Sequence, residues 1–95
     1  MVVGWLRICL RLEGVNSLKG KRHLLRGAIE RLGREPMLGV AEVGDNDLWG
    51  NAELGVTAVA SNAVQVERLL AHAENVFAED PRWEVLSIER EISGV

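Results

Sequence analysis

Apolar and polar positions alternate from the start of the chain. Val2, Leu6, Ile8, Leu10 and Leu12 share one parity, while Val3, Trp5, Arg7, Cys9 and Arg11 share the other. A period of two is the signature of a half-buried strand, with the first set turned to a core and Trp5, Arg7 and Arg11 on the wetter face. After the turn Gly14-Val15-Asn16 the period lengthens: Leu18, Leu25, Ala28, Ile29 and Leu32 recur at helical spacing between Ser17, a good N-cap, and Gly33, a good stop. The spacing predicts a helix over about 18–33. Met37 to Val43 is short, apolar and closed by Gly44-Asp45-Asn46-Asp47, which predicts a second strand entering a turn, with its inward parity open. Asn51 to Ala60 alternates again, setting Ala52, Leu54, Val56 and Ala58 against Glu53, Gly55, Thr57 and Val59, and forms a hairpin with the strand before it. Asn62 caps a second helix with the stripe Ala63, Val66, Leu69, Leu70, Ala73, Val76, Phe77, ended by Asp80-Pro81. Trp83 to Ile92 supplies a last strand, with Leu86, Ile88 and Ile92 on one parity and Ser87, Glu89 and Glu91 on the other.

The order is β-α-β-β-α-β. Right-handed crossovers fold it as a four-stranded antiparallel sheet with both helices on one face, the ferredoxin-like layout of the α+β class. The first and third strands are then central. Arg7 and Arg11 are expected to meet Glu89 or Glu91 across the open face. The 95 residues are too few for two separately packed cores, so 1–95 reads as one domain.

A hydrophobic share of 47% with 26% charged residues excludes a disordered chain. No apolar run approaches the ~18 residues of a membrane span, and the start lacks the basic stretch of a secretory signal, so the expected location is cytoplasmic with no membrane partner. Cys9 is the one cysteine and closes no internal disulfide. The net charge of −3 hides an asymmetry: Met1 to Arg34 carries eight cations and two anions (+6), and the rest three cations and twelve anions (−9). Such a split marks either a polyanion-binding face or elements that neutralise each other in the fold.

Candidate chemistry thins out on inspection. Gly14 to Lys21 fails as a phosphate loop, because five residues separate its glycines and Arg22 stands where Ser or Thr holds magnesium. Asp45-Asn46-Asp47-Leu48-Trp49-Gly50 begins like a calcium loop, but its fifth position is Trp49 and its twelfth Val56, so it reads as a polar turn. Trp49 is expected to anchor that hairpin on the core. His23 and His72 lie on different helices, and no catalytic pair or triad emerges. No metal or cofactor is expected, and the chain reads as non-enzymatic.

The strongest remaining signal is a cationic cluster. Lys19, Lys21 and Arg22 fall in the first turns of the first helix, where unpaired N–H groups already carry partial positive charge, and Arg26 follows one turn on. An anion such as phosphate bound there would be held by cations, amides and the helix dipole together. Arg7 and Arg11 are expected as a flank. Sheet-face stacking of bases, as in RNA-recognition domains of the same strand order, has little support, since the third strand has no aromatic and Trp5 is alone. Val3, Trp5 and Val59 instead give the open face an apolar character suited to homodimerisation.

Ser17-Leu18-Lys19-Gly20-Lys21-Arg22 and Val40-Ala41-Glu42-Val43-Gly44-Asp45-Asn46-Asp47-Leu48-Trp49, continued by Ala52-Glu53-Leu54-Gly55-Val56, resemble the YlxP-like family of small bacterial proteins, a domain of unknown function. Met1-Val2-Val3-Gly4 and the ending through Glu89-Arg90-Glu91 are similar too, so the resemblance covers nearly the whole chain. Gly20 departs from the acidic residue usual inside the Ser-Leu-Lys motif, which removes a capping-box partner for Ser17. The resemblance implies a ferredoxin-like fold and no established activity. It also implies gene neighbours among transcription-termination, translation-initiation and ribosome-binding factors, hence a role near RNA or ribosome assembly. The expectation is an RNA- or ribosome-associated binding module using Lys19, Lys21, Arg22 and Arg26. The alternatives are a homodimeric protein-interaction module joined through the open sheet, or a small-ligand sensor with a pocket between subunits.

Overall fold

The computed structural model describes residues 1–94. It runs β1 (Val2–Leu12), α1 (Leu18–Gly33), β2 (Leu38–Gly44), β3 (Asn51–Ala60), α2 (Ala63–Ala78) and β4 (Trp83–Gly94). The sheet order is β2-β3-β1-β4 with every neighbouring pair antiparallel. The fold is ferredoxin-like, with β1 and β3 central. Helix α1 lies over β2, and α2 packs over β1, β3 and β4.

Each helix starts where a side chain can take up an orphan amide. Ser17 Oγ accepts from the Gly20 amide at 3.0 Å, and Asn62 Oδ1 accepts from the Gln65 amide at 2.9 Å. Ser17 thus caps α1 with no acidic residue in the first turn. The register sets Leu6 opposite Val56, Ile8 opposite Leu54 and Leu10 opposite Ala52, so the even positions of both central strands form one buried face. Leu25, Ala28 and Leu32 of α1 and Val66, Leu69, Leu70, Ala73, Val76 and Phe77 of α2 close over that face. Burying a leucine completely stabilises the fold by about 1.5–3 kcal/mol. At Gly4 the approach is so close that a Cβ would lie 2.7 Å from Val66 Cγ1 and 2.9 Å from Leu70 Cδ1.

Two sequence expectations are corrected here. The parity of β4 breaks at Cys9/Leu10 of its partner: Ser87 faces Cys9 but Val85 faces Leu10, which leaves Leu86 as the extra residue of a bulge. Leu86 is consequently 42% exposed, while Trp83 at 6% is core. Trp49 does not anchor the hairpin on the core, being 51% exposed at the turn after β2. Trp83 holds the buried-indole position instead, donating Nε1–H to the Phe77 carbonyl at 2.7 Å and packing against the Phe77 ring at 6.0 Å between centroids. That bond gives a carbonyl at the end of α2 a buried donor.

Candidate functional site

The cationic cluster of α1 divides into an outer and an inner part. Lys19, Arg22 and Arg26 are exposed, and with His23 they fall within one arc of the helix surface, as spacings of three and four require. No acidic residue occupies the first turn of α1. Among the described residues, none of these three cations has a carboxylate within ion-pair distance. Arg22 and Arg26 border an open groove of about 310 Å³ between α1 and β2, floored by Leu25 and Ile29 and closed by Glu30 and Glu42.

Lys21 belongs to the inner part, which corrects its assignment as a phosphate contact. It shares the inward face of α1 with Leu25, Ala28 and Leu32 and is 1% exposed. Its ammonium donates to the carbonyl oxygens of Asp45 at 2.6 Å and Leu48 at 2.7 Å. It also meets Glu42 Oε2 at 2.6 Å. That oxygen is buried and off hydrogen-bond alignment, so its contact with Lys21 is electrostatic. Lys21 is therefore a bolt between α1 and the turn joining β2 to β3, and it is already neutralised. Its signal was present in the pattern: Leu25 lies four residues on and Leu32 eleven, and Glu42 shares the inward parity of Leu38 and Val40.

The turn is held from both sides. Asp45 adopts φ 56°, and the Leu48 amide closes back to the Asp45 carbonyl at 3.0 Å. The Leu12 amide donates to Gly50 at 2.9 Å, tying the far end of the turn to β1. Leu48 and Trp49 consequently project from a pinned backbone beside the opening turns of α1, with about half of each side chain in solvent.

Arg7 and Arg11 do not flank the strip. Odd positions of β1 face away from the helices, so both guanidinium groups lie on the opposite side of the sheet. Arg7 pairs with Glu53 at 2.9 Å and Glu89 at 3.5 Å, and its guanidinium lies 5.7 Å from the Trp5 ring centre. Arg11 pairs with Glu84 at 3.3 Å. Val3 and Val59 are direct cross-strand neighbours on this face, with Trp5 two residues along. Beside them lies an apolar hollow of about 310 Å³ over Gly39, Val40, Ala41, Val43, Gly55 and Thr57.

One carboxyl away from the strip is strongly held. Asp80 lies below the ordinary carboxylate range, chiefly because Arg82 donates to it in a two-pronged bridge, with Nη2 to Oδ2 at 2.6 Å and Nε to Oδ1 at 2.9 Å. Arg82 is raised in return. This pair shapes the corner between α2 and β4. No group of three or more His, Cys, Asp or Glu residues able to hold a metal occurs among the described residues. Among the described residues, no helix is long and apolar enough to cross a membrane.

The family model described as "Protein of unknown function (DUF503)" matches residues 3–90. The chain belongs to that family. A relative named "Uncharacterized protein YlxP", from Bacillus subtilis (strain 168), is 35% identical over 54 residues, covering 57% of this chain and 59% of that protein. The match thus spans about three fifths of the curated relative. Among solved structures, the de novo designed protein Foldit4 superposes with a TM-score of 0.59 at 20% identity, covering 99% of this chain and 97% of the design. A second de novo design, described as having a ferredoxin fold, gives 0.54 at 14% identity, covering all of this chain and 88% of that one. At such identities the likeness shows the fold alone. The DUF503 stretches around Lys19-Gly20-Lys21 and Glu42 to Trp49, far apart in sequence, are one unit in space because the Lys21 ammonium joins them.

Proposed function

We propose that this DUF503 protein is a non-enzymatic module that binds RNA through the outer face of α1, with Lys19, Arg22 and Arg26 contacting phosphates. The observation that carries this reading is the exposed arc those three cations share, acid-free in its first turn and with no carboxylate in ion-pair distance of any of the three among the described residues, next to a helix start whose amides favour negative charge. Lys21, Arg7 and Arg11 are excluded from the contact set by their own partners. The overall negative charge makes the attraction local, so binding rests on a small number of phosphate contacts.

Three such contacts on single-stranded RNA give a log-log salt slope of about −2, or roughly a twentyfold loss between 50 and 200 mM salt. Fluorescence anisotropy with a labelled RNA oligonucleotide measures it. The triple substitution Lys19→Glu, Arg22→Glu, Arg26→Glu is expected to abolish salt-sensitive binding. Wild-type affinity in that variant would end the proposal.

A second reading, a homodimer through the open sheet face, is favoured by the adjacency of Val3, Trp5 and Val59 to the apolar hollow over Gly39 and Gly55. It uses the face opposite α1, so both readings are compatible in one molecule. Sedimentation equilibrium tests it: a dimer that Trp5→Glu converts to monomer supports this face, and a monomeric wild type at high micromolar concentration rejects it.

A further inference from the structure

Resting on the RNA reading above, we infer that Trp49, with Leu48 beside it, is the platform on which an unpaired RNA base stacks, and that it makes the module select single strands over duplex.

Of the three tryptophans, Trp83 is committed to the core and Trp5 lies on the far face under Arg7. Trp49 alone of the three is half exposed, and it follows Leu48, whose carbonyl accepts from Lys21 of α1. Its backbone is already fixed, by the Lys21 ammonium on the Asp45 and Leu48 carbonyls and by the Leu12 amide on Gly50. Little conformational entropy is therefore left to lose when a ligand packs on the indole, which is the advantage of a preorganised contact. Trp49 and Leu48 contribute less to the core than buried side chains of their size would, so their apolar surface remains available for a partner.

Charge decides which partner. Arg22 borders the groove that ends at Glu42, at the foot of the turn, whereas Asp45 and Asp47 sit on the turn itself and are exposed. A phosphate is attracted to the helix side and repelled from the turn. A nucleotide satisfies both when its phosphate lies against α1 and its uncharged base lies over Trp49. Every base offers a π-face, so the contact is tolerant of sequence, but only an unstacked base presents that face. An acidic peptide would find the cations but would bring a flat ring to the indole only where it also carried an aromatic side chain.

The probes are a labelled oligouridine and a hairpin duplex of equal charge, each titrated with wild type, Trp49→Leu, Trp49→Phe and the triple charge-reversed variant. Trp49→Leu keeps apolar bulk on the turn and removes the aromatic face. The expected result is about tenfold weaker binding of oligouridine by Trp49→Leu, with its salt slope and duplex affinity unchanged and most of the affinity kept in Trp49→Phe. An unchanged oligouridine affinity in Trp49→Leu, with the charge-reversed variant inactive, overturns the platform and leaves the cation strip standing. If the charge-reversed variant binds like wild type, the RNA reading itself falls and takes the platform with it. Equal losses on oligouridine and duplex also overturn the inference, because they show a general distortion of the turn.

Discussion

Replacing Lys21 by Met tests the bolt between α1 and the β2–β3 turn. The substitution keeps an unbranched apolar stem and deletes one ammonium. Three oxygens then lose their partner: the Asp45 and Leu48 carbonyls, bonded at 2.6 and 2.7 Å, and Glu42 Oε2, at 2.6 Å. Breaking a buried charge pair from one side costs about 3–5 kcal/mol, because the remaining charge keeps its desolvation without its counter-ion. The Glu42 side chain retains 20% exposure. Water can therefore reach part of the carboxylate, and the lower end, about 3 kcal/mol, applies. For a domain of this size that is a fall in Tm of roughly 15 °C. Urea denaturation followed by circular dichroism gives the value directly, with an m-value unchanged if the native fold persists. The double variant Lys21→Met, Glu42→Leu should recover at least half of the loss, since removing both charges leaves only the two carbonyls wanting. A loss under about 1 kcal/mol in the single variant, or no recovery in the double, would refute the assignment of Lys21 as an internal counter-ion.

Three further outcomes follow from the packing. Gly4→Ala pushes a methyl into Val66 and Leu70 of α2, so it should destabilise by about 1–3 kcal/mol in the same urea assay. Trp83→Phe removes the indole donor from the Phe77 carbonyl, which keeps the Asp80 amide at 3.4 Å, and should cost about 0.5–1.5 kcal/mol for the lost bond, read as a lower urea midpoint. Because the folded-state carboxyl of Asp80 is depressed, the stability it contributes is present above the unfolded value near 3.8 and is lost as pH falls through the still lower folded value. A carbon-detected NMR titration should place the Asp80 midpoint below the ordinary range, and Arg82→Ala should return it there. At neutral pH Arg82→Ala should cost less than about 1 kcal/mol, as the guanidinium is exposed.

Most of the architecture was legible because each element carries a strong period and a chemical boundary. Helix α1 begins after Ser17 as its cap requires and ends at Gly33, its last helical residue, with Arg34 as a right-handed C-cap, and the β1 and β3 alternations survive intact. The end of β4 nearest α2 was misread because a bulge changes the parity without changing the composition. Leu86 and Val85 are equally apolar, and only the pairing with β1 shows which turns inward. The site was half legible. Lys19, Arg22 and Arg26 follow from helical spacing, but Lys21 was grouped with them by charge although its spacing from Leu25 and Leu32 puts it inside. Trp49 was assigned inward because indoles commonly are. The chain has another indole, Trp83, six residues beyond Phe77, and its bond to that carbonyl is a tertiary fact that no local pattern announces.

The charge asymmetry of the sequence left two explanations, mutual neutralisation or a polyanion-binding face, and the structure apportions them. Of the eight cations before Glu35, Arg7, Arg11 and Lys21 are taken up by Glu53, Glu89, Glu84 and Glu42, all from the acidic remainder of the chain. Lys19, Arg22, Arg26, Arg31 and Arg34 have no carboxylate within ion-pair distance among the described residues, and Glu30 is the one acid in α1. Neutralisation therefore operates inside the fold and across the open sheet, and stops at the outer surface of α1. Glu84, Glu89 and Glu91 lie on β4, the sheet edge farthest from β2; Arg11 and Arg7 take up the first two, and Glu91 has no ion pair among the described residues. The molecule is thus electrically polar as well as net negative, and a polyanion approaching it is repelled by one edge and accepted by one helix. Such a field fixes orientation before contact, so reversing Glu91, the acid of that edge outside any ion pair, should raise affinity for RNA at low salt while leaving the contact residues, and hence the difference between wild type and Trp49→Leu, unchanged.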